Sequence, residues 1–357
     1  MLDMNRFCII FLLFCFISCS NSEKVRDFDD LFVETKDVLA CDYLKDSLML
    51  GRPFFMQYSD HNIVIYDDLG DSIFTMIDTS SKDVYRFGIR GEGVDEFLQV
   101  ASLHKLNVDS VIGVYDFFKH TISSINLNDV KKKIYHFPII ARDSLNSIDL
   151  CPTKYDTFIG LGFYENNMLA LLKDGVTERF FFEYPYRDDD EKKIKNRLRG
   201  MAYQGILRSN KSLDKCIYAI RCAPIFFLYS ISENEILETY KWIGGYPKYV
   251  TKETETMRSA PMSLDNQIAF ISAYATDKYV YLLYSGKTIR DNQGKAFTGD
   301  VIYQITWDAK PVCKFRVNVP IMLFCVSDFD DKIYAIADKL EPTLVEIPLN
   351  TDKFSKY

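Results

Sequence analysis

The feature that most constrains this chain is a short segment that keeps returning: a polar turn feeding an almost wholly apolar strand. Asp214-Lys215-Cys216-Ile217-Tyr218-Ala219-Ile220 closely matches Asp330-Asp331-Lys332-Ile333-Tyr334-Ala335-Ile336, and Asp277-Lys278-Tyr279-Val280-Tyr281-Leu282-Leu283 follows the same design. Looser copies are read at His61–Asp67, Asp109–Tyr115 and Asn166–Leu172. A strand with hydrophobic residues at nearly every position is one covered on both faces. The copies lie about 45 to 65 residues apart, near the period at which four-stranded propeller blades repeat. Such a chain is expected to be all-β: a six-bladed β-propeller of four-stranded antiparallel blades.

The blades can be drawn in outline. The first takes Phe54–Ser59, Asn62–Asp67, Ser72–Asp78 and Asp83–Ile89, and the second Phe97–Asn107, Val111–Phe117, Thr121–Asn126 and Lys133–Ile140. The last unit offers only three strands, Ile321–Ser327, Lys332–Ala337 and Thr343–Ile347. Its fourth is expected from Val38–Leu50, ahead of the first blade. An N-terminal strand completing the last blade would remove the open edge of the ring. The abundance of Tyr (23) and Phe (27) beside 11 Pro suits strands better than helices.

Between the first two blades runs Phe87-Gly88-Ile89-Arg90-Gly91-Glu92-Gly93-Val94-Asp95-Glu96-Phe97. This segment resembles the GxxGxGPxEF connector of the TolB-like six-bladed propeller lipoproteins common in gut Bacteroidota, with Val94 where that family often has Pro. The resemblance spans roughly residues 40 to 350 and implies fold more than activity. Gly88, Gly91, Gly93, Glu96 and Phe97 are thus read as a structural connector. Gly91 and Gly93 are expected to supply positive φ as the chain leaves an outer strand for the next inner one, and Phe97 to anchor the new strand.

The N-terminus carries an address. Phe7–Ile17 is an uncharged apolar run, too short for a spanning helix of roughly 20 residues and suited to the core of a secretory signal. It ends Phe16-Ile17-Ser18-Cys19, which resembles the lipobox of bacterial lipoproteins. That resemblance implies a signal peptide over 1–18, and Cys19 carrying a diacylglycerol and an N-acyl chain such as palmitate. A polar tether follows over 19–37, with the propeller over 38–357. The implied location is the cell envelope, lipid-anchored in the outer membrane, on the periplasmic face or the cell surface. The start at Met1 or Met4 is open. Six cysteines then remain (Cys41, Cys151, Cys216, Cys222, Cys313 and Cys325), and an exported chain offers them either pairing or burial. Cys216 and Cys222, if on one strand, lie about 20 Å apart and beyond bridging distance.

Net charge is −7 with no dense basic block, so a nucleic-acid partner is excluded from the expectations. His61, His104, His120 and His136 are dispersed without zinc spacing, and there is no GxSxG elbow. Gly286-Lys287-Thr288 lacks the first glycine of a P-loop, with Tyr281 in its place. Asp328-Phe329-Asp330-Asp331 lacks the rest of an EF-hand and reads as a turn. The acidic-then-basic run Asp188–Arg199 reads as a short solvated helix or charged loop, with Glu191 and Lys195 one helical turn apart.

No catalytic residue, metal ligand or cofactor is assigned, and a cation in the channel stays open. The expected function is a noncatalytic, lipid-anchored, monomeric binding module for a glycan, peptide or protein. The alternatives are a lactonase- or lyase-like propeller enzyme, which needs Asp, Glu, Asn or His converging on a channel metal, and a structural subunit of an envelope assembly. Propellers build their sites from different blades, so local motifs do not reach them.

Overall fold

The computed structural model describes residues 27–44, 48–254 and 256–349; the apolar run at the N-terminus and Cys19 lie outside them. Four separate four-stranded antiparallel sheets come first along the chain. Blade 1 is Pro53–Ser59, Asn62–Asp67, Phe74–Asp78 and Val84–Phe87. Blade 2 is Val100–Lys105, Val111–Asp116, Thr121–Asn126 and Ile139–Arg142. Blade 3 is Asp149–Pro152, Phe158–Leu161, Leu169–Lys173 and Val176–Phe181. Blade 4 is Gly205–Ser209, Lys215–Ile220, Ile225–Ile231 and Ile236–Ile243.

The last two blades are fused by one long strand, Pro311–Val326. Its first part pairs with Gly299–Thr306 (Gln304 opposite Cys313) as the outer strand of blade 5, whose inner strands are Gln267–Ala275 and Tyr279–Thr288. Its second part pairs with Lys332–Asp338 (Val326 opposite Ile333) as the innermost strand of blade 6. Pro342–Pro348 follows, and Cys41–Asp42 supplies the fourth strand, with Cys41 opposite Glu346. The N-terminal strand therefore closes the ring from where the sequence placed it. The six innermost strands pack each on the next, blade 6 returning to blade 1.

Five of the six recurring segments are second strands, sandwiched between neighbours in the sheet and by the blades on either side. Ile63, Val64 and Ile65, like Ile217, Tyr218 and Ala219, are fully buried, which is why their sequence carries no polar alternation. The copy at Asn166–Leu172 falls on the third strand of blade 3. The second strand of that blade is Phe158–Leu161, preceded by its own polar turn Asp156-Thr157.

The N-terminal segment does more than close blade 6. Thr35–Val38 lies parallel against the outer strand of blade 5, Thr35 opposite Lys314 and Val38 opposite Val317. Phe28 is buried among the rings of Phe226, Phe270, Tyr303 and Trp242. Asp29 accepts a hydrogen bond from the Tyr303 hydroxyl at 2.7 Å and pairs with Lys314. Residues 27–37, counted with the tether in the sequence reading, are thus packed on the propeller.

The connector between blades 1 and 2 departs from its expected mechanism. Positive φ falls on Gly88 (71°) and Asp95 (63°), and neither Gly91 nor Gly93 has it. What Gly91 and Gly93 provide is room. A Cβ on Gly91 would collide with the Glu96 carboxylate, and one on Gly93 would come within 2.9 Å of it. That carboxylate accepts a hydrogen bond from the Gly93 N–H at 2.8 Å. Lys119 donates to the carbonyls of Gly93 and Glu96, and Ile89–Arg90 pairs with Glu96–Phe97 in parallel. Phe97 is buried against Phe74 and Phe137.

The Asp188–Arg199 run is not a solvated helix. It forms two short helices, Asp189–Lys192 and Asn196–Ala202, with Glu191 and Arg199 both buried. Glu191 accepts from the Tyr203 hydroxyl at 3.0 Å, and Arg199 donates to the carbonyls of Lys192 and Ile194. Lys195 pairs with Glu253 and not with Glu191. All six described cysteines are free thiols, and Cys151, Cys216, Cys313 and Cys325 are buried.

Candidate functional site

Inner strands run alongside the central axis, so side chains from six distant stretches of sequence meet there. Midway along the channel, His104 of blade 2 donates to Asp149 of blade 3 at 2.8 Å. Asp149 also accepts from the Ser102 hydroxyl at 2.6 Å, and Arg208 of blade 4 lies 3.8 Å away. Burial alone would lower the His104 pKa, but the Asp149 carboxylate outweighs it and holds the imidazole up at about 9. Asp149 is held below the usual carboxylate range: burial would raise it, and His104, Arg208 and Ser102 more than offset that. Across the channel, the Gln57 amide of blade 1 donates to the Tyr274 hydroxyl of blade 5 at 2.8 Å. These contacts tie blades 2, 3 and 4 to one another and blade 1 to blade 5 at the axis.

Beyond this level the channel opens into a polar mouth at the ends of the inner strands, with a cavity of about 220 Å³. Asp328 of blade 6 receives Lys105 of blade 2 at 2.8 Å and Lys211 of blade 4 at 3.0 Å. Burial would raise the Asp328 pKa, and the two ammonium groups bring it below its ordinary value. Asp277 accepts from the Ser212 N–H and hydroxyl and from Asn210. Burial raises the Asp330 pKa, although the Tyr281 hydroxyl donates to it at 3.0 Å. Thr276 and Lys278 complete the rim. Each carboxylate here is committed to a cation or to protein donors. Among the described residues, no three His, Cys, Asp or Glu side chains gather as a metal cage.

The opposite mouth is wider, about 630 Å³, and of different character: apolar side chains from blades 1, 4, 5 and 6 surround Arg208 and Arg221. Residues 292–298, between the second and third strands of blade 5, form part of its wall.

Of the residues singled out in the sequence, His104, Asp277, Lys278, Asp328 and Asp330 line the polar mouth. Gly88, Gly91, Gly93, Glu96 and Phe97 form the interblade connector and line neither cavity. Sequence reasoning missed Gln57, Lys105, Asp149, Arg208 and Lys211. A signal existed: Gln57, Lys105, Arg208 and Asp328 each stand just ahead of a recurring segment, at the polar end of an apolar inner strand.

A family model described as TolB-like 6-blade propeller-like matches residues 30–329. Among solved structures, a protein described as exported from Bacteroides fragilis superposes with a TM-score of 0.54 at 10% identity, covering 90% of this chain and 95% of that one. A DUF4221 member from Bacteroides vulgatus does so with the same TM-score and identity, covering 89% and 97%. At such identity the likeness is one of fold. A comparison with curated proteins finds no match.

Proposed function

We propose, from the premise that this chain belongs to the TolB-like 6-blade propeller-like family, that it is a lipid-anchored, extracytoplasmic binding module without catalytic activity. Cys19 would carry the acyl chains and place the propeller at the outer membrane. A Bacteroides protein of the same fold, described as exported, supports the extracytoplasmic part of this reading. Two or more acyl chains give stable anchoring, since each buried CH₂ contributes about 0.8 kcal/mol.

The observation that carries the binding reading is the polar mouth. Side chains from blades 1, 2, 4, 5 and 6 converge on one cavity, and its amides, hydroxyls, lysines and carboxylates match a glycan or a peptide backbone. Catalysis by the metal-dependent route of some propellers would need carboxylates free to hold an ion, whereas Asp328 holds two lysines and Asp149 holds His104.

Two measurements test this. Palmitate labelling of the wild type and of Cys19→Ala should show the label lost in the variant, and retention of the label would remove the anchor. The full chain on arrays of oligosaccharides and peptides should bind a subset that Lys211→Glu and Lys278→Glu no longer bind. Binding that both variants keep would place the ligand elsewhere.

A further inference from the structure

The wide mouth opposite the polar one has a chemistry of its own. Phe54 of blade 1 and Phe297 of the blade 5 insertion are 47% and 42% exposed there, beside Ile206, Ile271 and Met322. Large apolar side chains left open to water in a concave site are unfavourable unless something covers them. The charges do not balance. Lys295 and Asp338 pair at 2.6 Å and cancel, and Asp338 is the one carboxylate in the lining. That leaves Arg208 at the floor and Arg221 at the side. Arg208 lines both mouths, and its nearest carboxylate is Asp149 at 3.8 Å. Arg221 is an exposed residue, and its guanidinium has no hydrogen bond or ion pair among the described residues. Its backbone is fixed: the Arg221 N–H donates to the Gln204 carbonyl, and its carbonyl accepts from the Ala269 N–H at 2.7 Å. A planar fork of donors with no partner, held at the edge of an apolar cavity, is suited to a carboxylate.

We propose that this mouth binds a free organic acid: an apolar body of roughly ten to twenty carbon atoms, as a cavity of this size admits, carrying one carboxylate that pairs with Arg221. The apolar body covers Phe54, Phe297, Ile271 and Met322, and the carboxylate neutralises the cation that the protein leaves unmatched. The site shares only Arg208 with the polar mouth; Arg221 and the apolar lining are its own.

The test is calorimetric titration of the full chain with decanoate, decan-1-ol and acetate at neutral pH. Decanoate should bind at one site, decanol at least tenfold more weakly, and acetate without measurable heat. Arg221→Gln should weaken decanoate at least tenfold and leave decanol unchanged, while Phe54→Asp should weaken both. Lys278→Gln, on the other mouth, should leave decanoate as in the wild type. Melting curves of the variants establish that each is folded. Absence of decanoate binding, equal affinities for decanoate and decanol, or an Arg221→Gln variant that binds decanoate like the parent would each overturn the assignment.

Discussion

His104 and Asp149 form an ion pair at 2.8 Å between the inner strands of blades 2 and 3, with the imidazole fully removed from solvent. Blades 2 and 3 meet through buried apolar side chains, among them Tyr115, Ile122, Leu150 and Ala170. Here the blades are also tied at the axis by a charge pair whose strength depends on a proton. Arg208, on the far side of Asp149, stays charged throughout the accessible pH range and does not add to that dependence.

Stability should therefore fall in alkali. The His104 pKa is held at about 9, above its ordinary value near 6.5. A group raised in the folded state contributes in full below its unfolded pKa, and that contribution is lost as pH rises through the folded one. The loss should run from about pH 6.5 to about pH 9 and amount to roughly 1–3 kcal/mol. The lowered Asp149 acts at the other end, its contribution present above the ordinary carboxylate value and lost as pH falls below it. Thermal unfolding across this range should show the alkaline decline in the parent. In His104→Gln the decline should flatten, and an unchanged slope there would assign it to another group.

Phe28 should prove to be a structural residue of the propeller. It packs edge-on to Phe226, Phe270 and Tyr303 at ring separations of 5.0–6.0 Å. Truncation of a buried phenylalanine typically costs about 3–5 kcal/mol. Phe28→Ala should cost about that much in urea unfolding, whereas Val33→Ala, at a fully exposed position, should cost little. Equal midpoints for the two variants would mean that the N-terminal segment does not hold blade 5.

What the sequence disclosed and what it hid follow from one distinction, local against convergent. The second strands were legible because burial on both faces removes polar residues from a continuous stretch, and Ile217-Tyr218-Ala219 shows that loss directly. Blade 3 was misread because its second strand is short and interrupted by Gly160, so the longer apolar run at Met168–Leu172 drew the assignment. Ring closure was legible as a shortage of one strand. The channel was not: Lys105 and Asp328 are 223 residues apart, and nothing in either neighbourhood points to the other. Glu191 and Arg199 were hidden for a related reason, since charged residues read as solvated until their buried partners are known.

In the connector, Gly88 should be the sensitive glycine. Its φ of 71° is costly for any side chain, and a Cβ there would meet the Phe74 ring at 2.5 Å. Gly88→Ala should therefore cost roughly 1–3 kcal/mol. Gly93→Val has ordinary φ and displaces only the Glu96 side chain, so about 1 kcal/mol or less is expected. Glu92→Ala, at an exposed site, should stay within about 0.5 kcal/mol. Melting curves of the three variants give the order, and a Gly93→Val loss exceeding that of Gly88→Ala would contradict the geometry.

Asp328 should matter more as the partner of two lysines than as a carboxylate in its own right. Lys105 is 7% exposed and reaches Asp328 from blade 2, past blade 1, while Lys211 approaches from blade 4. Asp328→Asn removes the charge that both ammonium groups share and leaves Lys105 buried without its counter-ion. An unpaired buried charge typically costs about 3–5 kcal/mol, and the partial opening of the mouth to water reduces the expected loss to roughly 1–3 kcal/mol. Removing Lys105 as well, in Lys105→Met with Asp328→Asn, should recover part of that loss, because no stranded cation remains. The double-mutant cycle from urea unfolding measures the difference. If the double variant is as unstable as the sum of the two single changes, the Lys105–Asp328 pair contributes nothing to holding blade 2 against blade 6.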